Sequence, residues 1–430
     1  MSWRTLLATF RRRTQTWPMP VRVAVGVIAT GLSVGVAATL VTELLHLIQH
    51  LAYGYTDETF LLGVEHADPL RRVLAPTLGL GLAGLAWMWL RRRRLPQVSE
   101  ACGPKARRLP LGRTTADALL QILAVGTGAS IGRERAPRQI GAALASVLSS
   151  VLGIGRDTRR RLVIAGAGAG LAVVYNVPLS GVIFGAEVLA GGFGLSGLAI
   201  FVPVSLVAVA VSWPVLGMNS VYQLPAGDLD ATTLIWALAA APLCALVGAG
   251  FDRLVRWCGR WRPQPTWRLP VATALAGLAV GVAAIWWPSL PGNGKGIVQL
   301  GLAGGATALT FALLLVLKPV ATAVTAGSGV DGGFLTPALG TGAALGAAVA
   351  MAGLSAGQNW PVATFTLIAA VGVLAATQRA PWFAAVFGWE LARPSIAMLG
   401  VLVVVAWGTA LIARRLPWTA QAAPKAEPKQ

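Results

Sequence analysis

Four stretches of this chain, residues 22 to 48, 194 to 216, 270 to 287 and 396 to 412, stay apolar long enough to cross a bilayer, apart from isolated polar residues such as Glu43 and Ser212. A spanning helix needs about 20 apolar residues, because the hydrocarbon layer holds no water to satisfy a bare peptide group. Three further apolar runs, at 117 to 130, 177 to 189 and 381 to 392, are too short to cross. Segments of that length sit at membrane depth only as partial or re-entrant helices whose ends are shielded by protein or by a cavity. Full and partial crossings in one chain predict an all-α polytopic membrane protein of the transporter or channel kind. Composition agrees: 55% hydrophobic and 12% charged residues lie outside the range of soluble domains, so the lipid bilayer is the expected surrounding.

A formal charge of +19 raises the question of a nucleic-acid partner. The basic residues fall in short clusters between apolar runs and not in one stripe, which excludes that class and reads as membrane topology. Arg11, Arg12 and Arg13 precede the first span, the next loop carries Asp57, Glu58, Glu65 and Asp68, and a second span returns to Arg91 to Arg94. The positive-inside bias places the N-terminus and the Arg91 cluster in the cytoplasm, with Arg159 to Arg161 and the arginines from Arg253 to Arg268. The opening residues lack an ordinary signal peptide, since the basic cluster follows the first apolar residues and no small-residue cleavage site precedes the span. Residues 1–20 are therefore expected as a cytoplasmic segment, 21–420 as a transmembrane domain and 421–430 as a disordered tail. Cys102, Cys244 and Cys258 show neither paired nor metal-ligand spacing, so neither metal nor cofactor is expected. A membrane-embedded enzyme needs a nucleophile with its base, or a metal cluster. His46, His50 and His66 lie at or just outside the first span, with no Ser or Cys motif placed to meet them.

The chain repeats itself. "NVPLSGVIFGAEV" and "RAPWFAAVFGWEL" keep proline, Phe-Gly and glutamate in step, with Pro178 to Glu187 and Pro381 to Glu390 both nine residues. Upstream, "GRERAPRQIGAAL" corresponds to "GFLTPALGTGAAL", with Gly132 to Gly141 and Gly333 to Gly342 again nine apart. The offsets between halves are 201 and 203 residues, which predicts two repeats at about 21–215 and 230–415. Two broken-helix loops meeting near mid-membrane favour an inverted arrangement.

In each half a glycine-rich turn delivers the chain into a small-residue helix, leaving unpaired N–H groups at the helix start. Such a start attracts anions, and in a low-dielectric setting the attraction is poorly screened. The starts at "GRERAP" and "GGFLTP" could face one point and form a dehydrated anion site. Glu134, a carboxylate within the first, is suited to occupy that site itself and to leave on protonation, as gate and proton carrier together. The competing reading pairs it with Arg133 or Arg135. Glu187 and Glu390, nine residues into their helices, read as caps or as ion pairs near a surface. Lys318 reads as snorkelling to an interface or lending long-range positive potential.

These motifs resemble those of the CLC chloride channels and chloride/proton antiporters over about residues 20 to 420. "GRERAPRQIG" is similar to the family's "GREGPxxQIG", "GSGVDGGFLTP" to "GSGxxGGxFxP", and "AGAGAGLAVVYNVPLSGVIFGAEV" to the segment ending in a paired Glu-Glu. "AATQRAPWFAAVFGWEL" resembles the matching segment of the second half. The resemblance implies a CLC-type fold of two inverted-topology repeats of tilted and re-entrant helices, in a homodimer with one pore per subunit. It implies Glu134 as the gating glutamate and an anion-binding loop formed by Gly132, Arg133 and Arg135 with Gly333, Phe334, Leu335 and Thr336, the amides of Phe334 and Leu335 holding the anion.

Departures from the motifs shape the functional expectation. Arg135 replaces a glycine, sets a cation beside Glu134 and is expected to favour its ionised form. The motif's proline comes one position late, as Pro137. The family's inner serine and tyrosine have no clear counterparts, and Ser99 and Trp418 are the weak substitutes. The second acid of the Glu-Glu pair, a proton relay in coupled family members, is Val188 beside the surviving Glu187. Valine carries no proton, so uncoupled or weakly proton-coupled transport of chloride or another small anion is expected, with a proton-coupled chloride or fluoride antiporter as the alternative. A bacterial inner membrane is the expected location.

Overall fold

The computed structural model describes residues 14, 16–56, 59–103, 107–224 and 229–416. Arg11 to Arg13, Asp57, Glu58, Trp418 and the tail at 421–430 lie outside the described residues. Among the described residues the first half forms α1 (Met19–Tyr53), α2 (Phe60–His66), α3 (Pro69–Leu90), α4 (Val98–Cys102), α5 (Leu111–Gly126), α6 (Arg135–Val151), α7 (Arg156–Tyr175), α8 (Pro178–Ile183) and α9 (Leu195–Leu216). A π-helical segment, Phe184–Ala190, continues α8. The second half forms α10 (Ala231–Gly259), α11 (Arg268–Trp286), α12 (Lys295–Ala303), α13 (Ala308–Gly327), α14 (Leu335–Ser355), α15 (Val362–Gln378), α16 (Pro381–Ala392) and α17 (Ile396–Arg415). Eight of these helices, α1, α3, α9, α10, α11, α13, α14 and α17, are long and apolar enough to cross a membrane. The four long apolar runs of the sequence fall on α1, α9, α11 and α17, and the three short ones on α5, on α8 with its π-helical extension, and on α16.

The core is built from small residues. Every residue of α7 from Leu162 to Tyr175 is buried, as is every residue of α15 from Thr364 to Ala376. Each packs on the helix that follows its half's glycine turn: α7 on α6, and α15 on α14. In lipid such close packing supplies attraction that hydrophobic burial cannot, and it requires small side chains at the crossing. Gly141 lies against the carbonyl of Gly166, and Gly342, 201 residues later, lies against the carbonyl of Ala369; a Cβ at either would collide with backbone.

The duplication extends to backbone conformation. Asn176 (φ 52°) ends α7 and Arg379 (φ 54°) ends α15, both left-handed, and each is followed two residues later by the proline that starts the next helix. The two half-membrane helices then exchange caps. Glu390 accepts from the N–H groups of Leu179 (3.0 Å) and Ser180 (2.6 Å) and from the Ser180 hydroxyl (2.6 Å). Glu187 accepts from the N–H groups of Phe383 (2.7 Å) and Trp382 (3.3 Å). Each acid thus meets the orphan donors and positive dipole end of the other repeat's helix. Reciprocity of this kind is what two copies related by a two-fold axis produce.

Candidate functional site

The two glycine turns meet. Gly132 N–H donates to Gly333 O at 2.7 Å and Gly333 N–H donates to Gly132 O at 2.8 Å, an isolated antiparallel bridge between the repeats. The bridge places the starts of α6 and α14 beside each other. Glu134 is the N-cap of α6, Phe334 the N-cap of α14, and Leu335 the first residue of α14.

Glu134 is completely buried. Its Oε1 accepts the Leu335 N–H at 2.9 Å, and its Oε2 accepts the hydroxyls of Thr336 and Tyr175, both at 3.2 Å. A buried carboxylate is tolerated only with such donors, and a charge-assisted hydrogen bond is worth about 1.5–3 kcal/mol. An amide at a helix start and two hydroxyls, with no carboxylate counter-cation in direct contact, form a cradle for any small anion. Of the two amides that the resemblance implied, that of Leu335 holds the carboxylate.

Two cavities lie near the glycine turns. One is lined by His46, Gln49, His50, Arg133, Asn293 and Lys295. The other is lined by Gln97, Ser99, Arg135, Arg138, Phe334 and Leu335. Arg133 and Arg135, the neighbours of Glu134 in sequence, line different cavities. Arg133 donates to the Val174 carbonyl at 2.9 Å, and its guanidinium carbon lies 5.1 Å from the Tyr175 ring. Neither arginine takes the carboxylate as its partner.

Arg135 departs from expectation in its partners. Its guanidinium donates to Gln97 Oε1 at 2.6 Å and pairs with Asp331 at 3.5 Å, while Glu134 takes Leu335, Thr336 and Tyr175 instead. Asp331 also pairs with Arg262 at 2.7 Å and Arg91 at 2.8 Å. Burial works against its charge, but the guanidiniums of Arg135, Arg91 and Arg262 outweigh it and hold the Asp331 carboxyl down at about 2. The first glycine loop is therefore tied to the second on both sides of Glu134, by the Gly132–Gly333 bridge and by the Arg135–Asp331 pair.

Lys318 does not snorkel. It is fully buried, and its Nζ donates to Ser130 Oγ (2.8 Å), Leu290 O (3.0 Å) and Gly292 O (2.7 Å), which fixes the turn two residues before Gly132. Ser99 lies on α4 and lines the Arg138 cavity. Val188 packs against the apolar core within the π-helical segment, and its neighbour Glu187 is engaged by α16. Sequence reasoning missed Tyr175, which supplies a hydroxyl where no tyrosine was recognised. Its position, three residues before Pro178 in "VVYNVPLSG", was the available signal. It also missed Arg138 and Asp331, which fill variable positions of their motifs.

Residues 78–414 match the family described as voltage gated chloride channel. A ClcB-like protein of Ralstonia nicotianae is 32% identical over 335 residues, covering 74% of this chain and 77% of that protein. The chain belongs to the voltage gated chloride channel family. Among solved structures it is similar to a slow cyanobacterial Cl−/H+ antiporter, with a TM-score of 0.76, 20% identity, and coverage of 91% of this chain and 94% of the other. It is also similar to a CLC-type fluoride/proton antiporter, with a TM-score of 0.73, 19% identity, and coverage of 91% and 95%. The fold is accordingly the CLC fold of membrane transporters and channels. Glu134, its cradle and the Gly132–Gly333 bridge lie inside the matched region.

Proposed function

We propose that the chain carries chloride or another small anion across a membrane, along a path within each subunit of a homodimer, with Glu134 acting as gate. The observation that carries this reading is the 2.9 Å hydrogen bond from the Leu335 N–H to Glu134 Oε1. The carboxylate occupies a cradle that a free anion fits, with two cavities near the glycine turns. Uptake of a proton removes the charge that the cradle holds, the side chain leaves, and the anion takes over the donors of Leu335, Thr336 and Tyr175. Arginine clusters on one side and the bacterial relative support a bacterial inner membrane, N-terminus in the cytoplasm, with the Arg138 cavity facing inward and the His46 cavity outward. The division into a 21–420 transmembrane domain with halves at about 21–215 and 230–415 belongs to the same reading.

Proton coupling is weak or absent in this reading. Val188 carries no proton, and Glu187 is committed to the amides of Trp382 and Phe383. Similarity to solved antiporters favours the rival, coupled exchange. Chloride efflux and proton movement measured together in liposomes with a fixed chloride gradient separate the two. Uncoupled transport predicts chloride efflux without proton uptake against its gradient, and uphill proton movement refutes it. Glu134→Gln is expected to alter chloride flux, and an unchanged flux removes Glu134 as the gate.

A further inference from the structure

We propose that the packed ends of α3 and α11 form a docking surface for the headgroup of an anionic phospholipid, with Arg92, Arg260 and Arg268 as its phosphate ligands and the indoles of Trp89, Trp261 and Trp267 at headgroup depth. The two ends meet because the helices pack antiparallel: a Cβ at Gly84 would collide with Thr273 and Pro270, and one at Gly281 with Arg72 and Val73. Arg92 follows the end of α3, Arg260 follows the end of α10, and Arg268 starts α11. All three are exposed, and among the described residues none of their side chains forms an ion pair or a hydrogen bond. Their neighbours are matched: Arg91 and Arg262 share Asp331, Arg94 pairs with Glu100 at 3.2 Å, and Arg256 pairs with Asp252 at 3.9 Å. No further acid occurs between Asp68 and Glu100 or between Asp252 and Asp331, so neither segment carries a counter-charge for the remaining arginines. Trp89, Trp261 and Trp267 are 59%, 75% and 68% exposed. Indoles so open to water are costly, and the headgroup layer is where an apolar ring with one polar edge is best placed.

Two of the arginines are prearranged. The guanidinium carbon of Arg92 lies 3.7 Å from the centroid of the Trp89 ring, and that of Arg268 lies 5.9 Å from the centroid of the Trp267 ring. Contact with an indole holds the guanidinium at the depth of the ring and leaves its N–H groups free to donate to phosphate oxygens. A free phosphate gains nothing from three exposed indoles, whereas a headgroup that arrives with its acyl chains covers them. The same segments hold the second glycine loop. Arg91, beside Arg92, donates to Gly329 O at 2.7 Å and to Asp331 at 2.8 Å. Arg262, two residues after Arg260, donates to Gly329 O at 3.1 Å and to Asp331 at 2.7 Å. Gly329 and Asp331 lie just ahead of Leu335, whose N–H holds Glu134. A phosphate that bridges Arg92 and Arg268 therefore steadies the two segments from which that loop hangs. The choice of the cytoplasmic leaflet rests on the proposed function, and headgroup binding itself stands apart from transport.

The test is the melting temperature of the full chain in dodecyl maltoside, titrated with phosphatidylglycerol, phosphatidylcholine or glycerol phosphate. A ligand that binds the native state raises the melting temperature as its occupancy grows. Wild type is expected to respond to phosphatidylglycerol at concentrations where the other two have no effect. One arginine beside an anionic headgroup is worth about fivefold in affinity, so the double variant Arg92→Gln/Arg268→Gln is expected to need about 25-fold more phosphatidylglycerol for the same shift. Arg414→Gln/Arg415→Gln, which removes two exposed arginines at the end of α17, is expected to keep the wild-type response. Arg268→Gln alone, at about fivefold, carries the test if the double variant fails to fold. A wild-type response in the variant tested, an equal loss in the α17 control, or a response to glycerol phosphate that matches phosphatidylglycerol overturns the proposal. The link to the loop is read from chloride efflux in phosphatidylcholine liposomes with and without phosphatidylglycerol. Phosphatidylglycerol is expected to speed efflux through wild type more than through the double variant, and an equal lipid dependence in the two overturns the link. Absence of efflux in every lipid counts against the transport reading, and the melting titration still decides the lipid site.

Discussion

Asp331→Asn tests how the second glycine loop is held. Asp331 has a 10% exposed side chain and faces guanidiniums at 2.7, 2.8 and 3.5 Å, whose own side chains are 39%, 16% and 25% exposed. Moving a carboxyl from its ordinary 3.8 down to about 2 corresponds to roughly 2 kcal/mol of native-state stabilisation. That figure is kept below the cost of breaking a fully buried pair, about 3–5 kcal/mol, because Arg262 is partly solvated. The direction with pH follows from the depressed value. The stabilisation is complete above the ordinary carboxyl range and disappears as pH falls through about 2. Unfolding by titration with a denaturing detergent, at a series of pH values, is therefore expected to show the variant roughly 2 kcal/mol less stable from neutral pH down to about pH 5, with the gap closing below that. A gap under about 0.5 kcal/mol at neutral pH, the size of an ordinary surface change, or a gap that widens in acid, refutes the reasoning.

Two further outcomes follow from the same geometry. Tyr175→Phe removes one donor from the Glu134 carboxylate, and the loss of a charge-assisted hydrogen bond of about 1.5–3 kcal/mol predicts a rise of at least about tenfold in the released gate; chloride efflux from liposomes should rise with it, and an unchanged rate would detach the hydroxyl from gating. Gly342→Ala drives a Cβ into the Ala369 carbonyl and is expected to cost about 1–3 kcal/mol in detergent unfolding. Gly250→Ala, where a Cβ meets open space, serves as the control and should be neutral or stabilising by about 0.5–1 kcal/mol.

What could be read from the chain divides along physical lines. Long apolar runs and glycine turns are local, so α1, α9, α11 and α17, the span before Arg91 on α3, the three short helical runs and the two loops appeared at their observed positions, whereas α10, α13 and α14, also long and apolar enough to cross, were not singled out. The duplication was legible as well, because a two-fold pair of loops needs the same small residues twice: Gly141 and Gly342 both sit at backbone crossings. Partnerships of long side chains were not. Arg135 could reach either Glu134 or Asp331, and only the approach of α3, α4 and the end of α10 decided for Asp331 and Gln97. Lys318 looked able to reach an interface, yet three acceptors on neighbouring turns hold it inside. Tyr175 came to the site through the close packing of α7 on α6, a tertiary contact at which its place three residues before Pro178 only hints.

In the proposed function the Glu134 carboxylate stands where a permeating anion would sit. Crystals of wild type and of Glu134→Ala grown in bromide, with its position read from anomalous scattering, test it most directly. Bromide is expected within hydrogen-bond reach of the Leu335 N–H and the Thr336 and Tyr175 hydroxyls in the variant, and none there in wild type. An unoccupied cradle in the variant, or bromide sharing it with the intact carboxylate in wild type, would contradict the account.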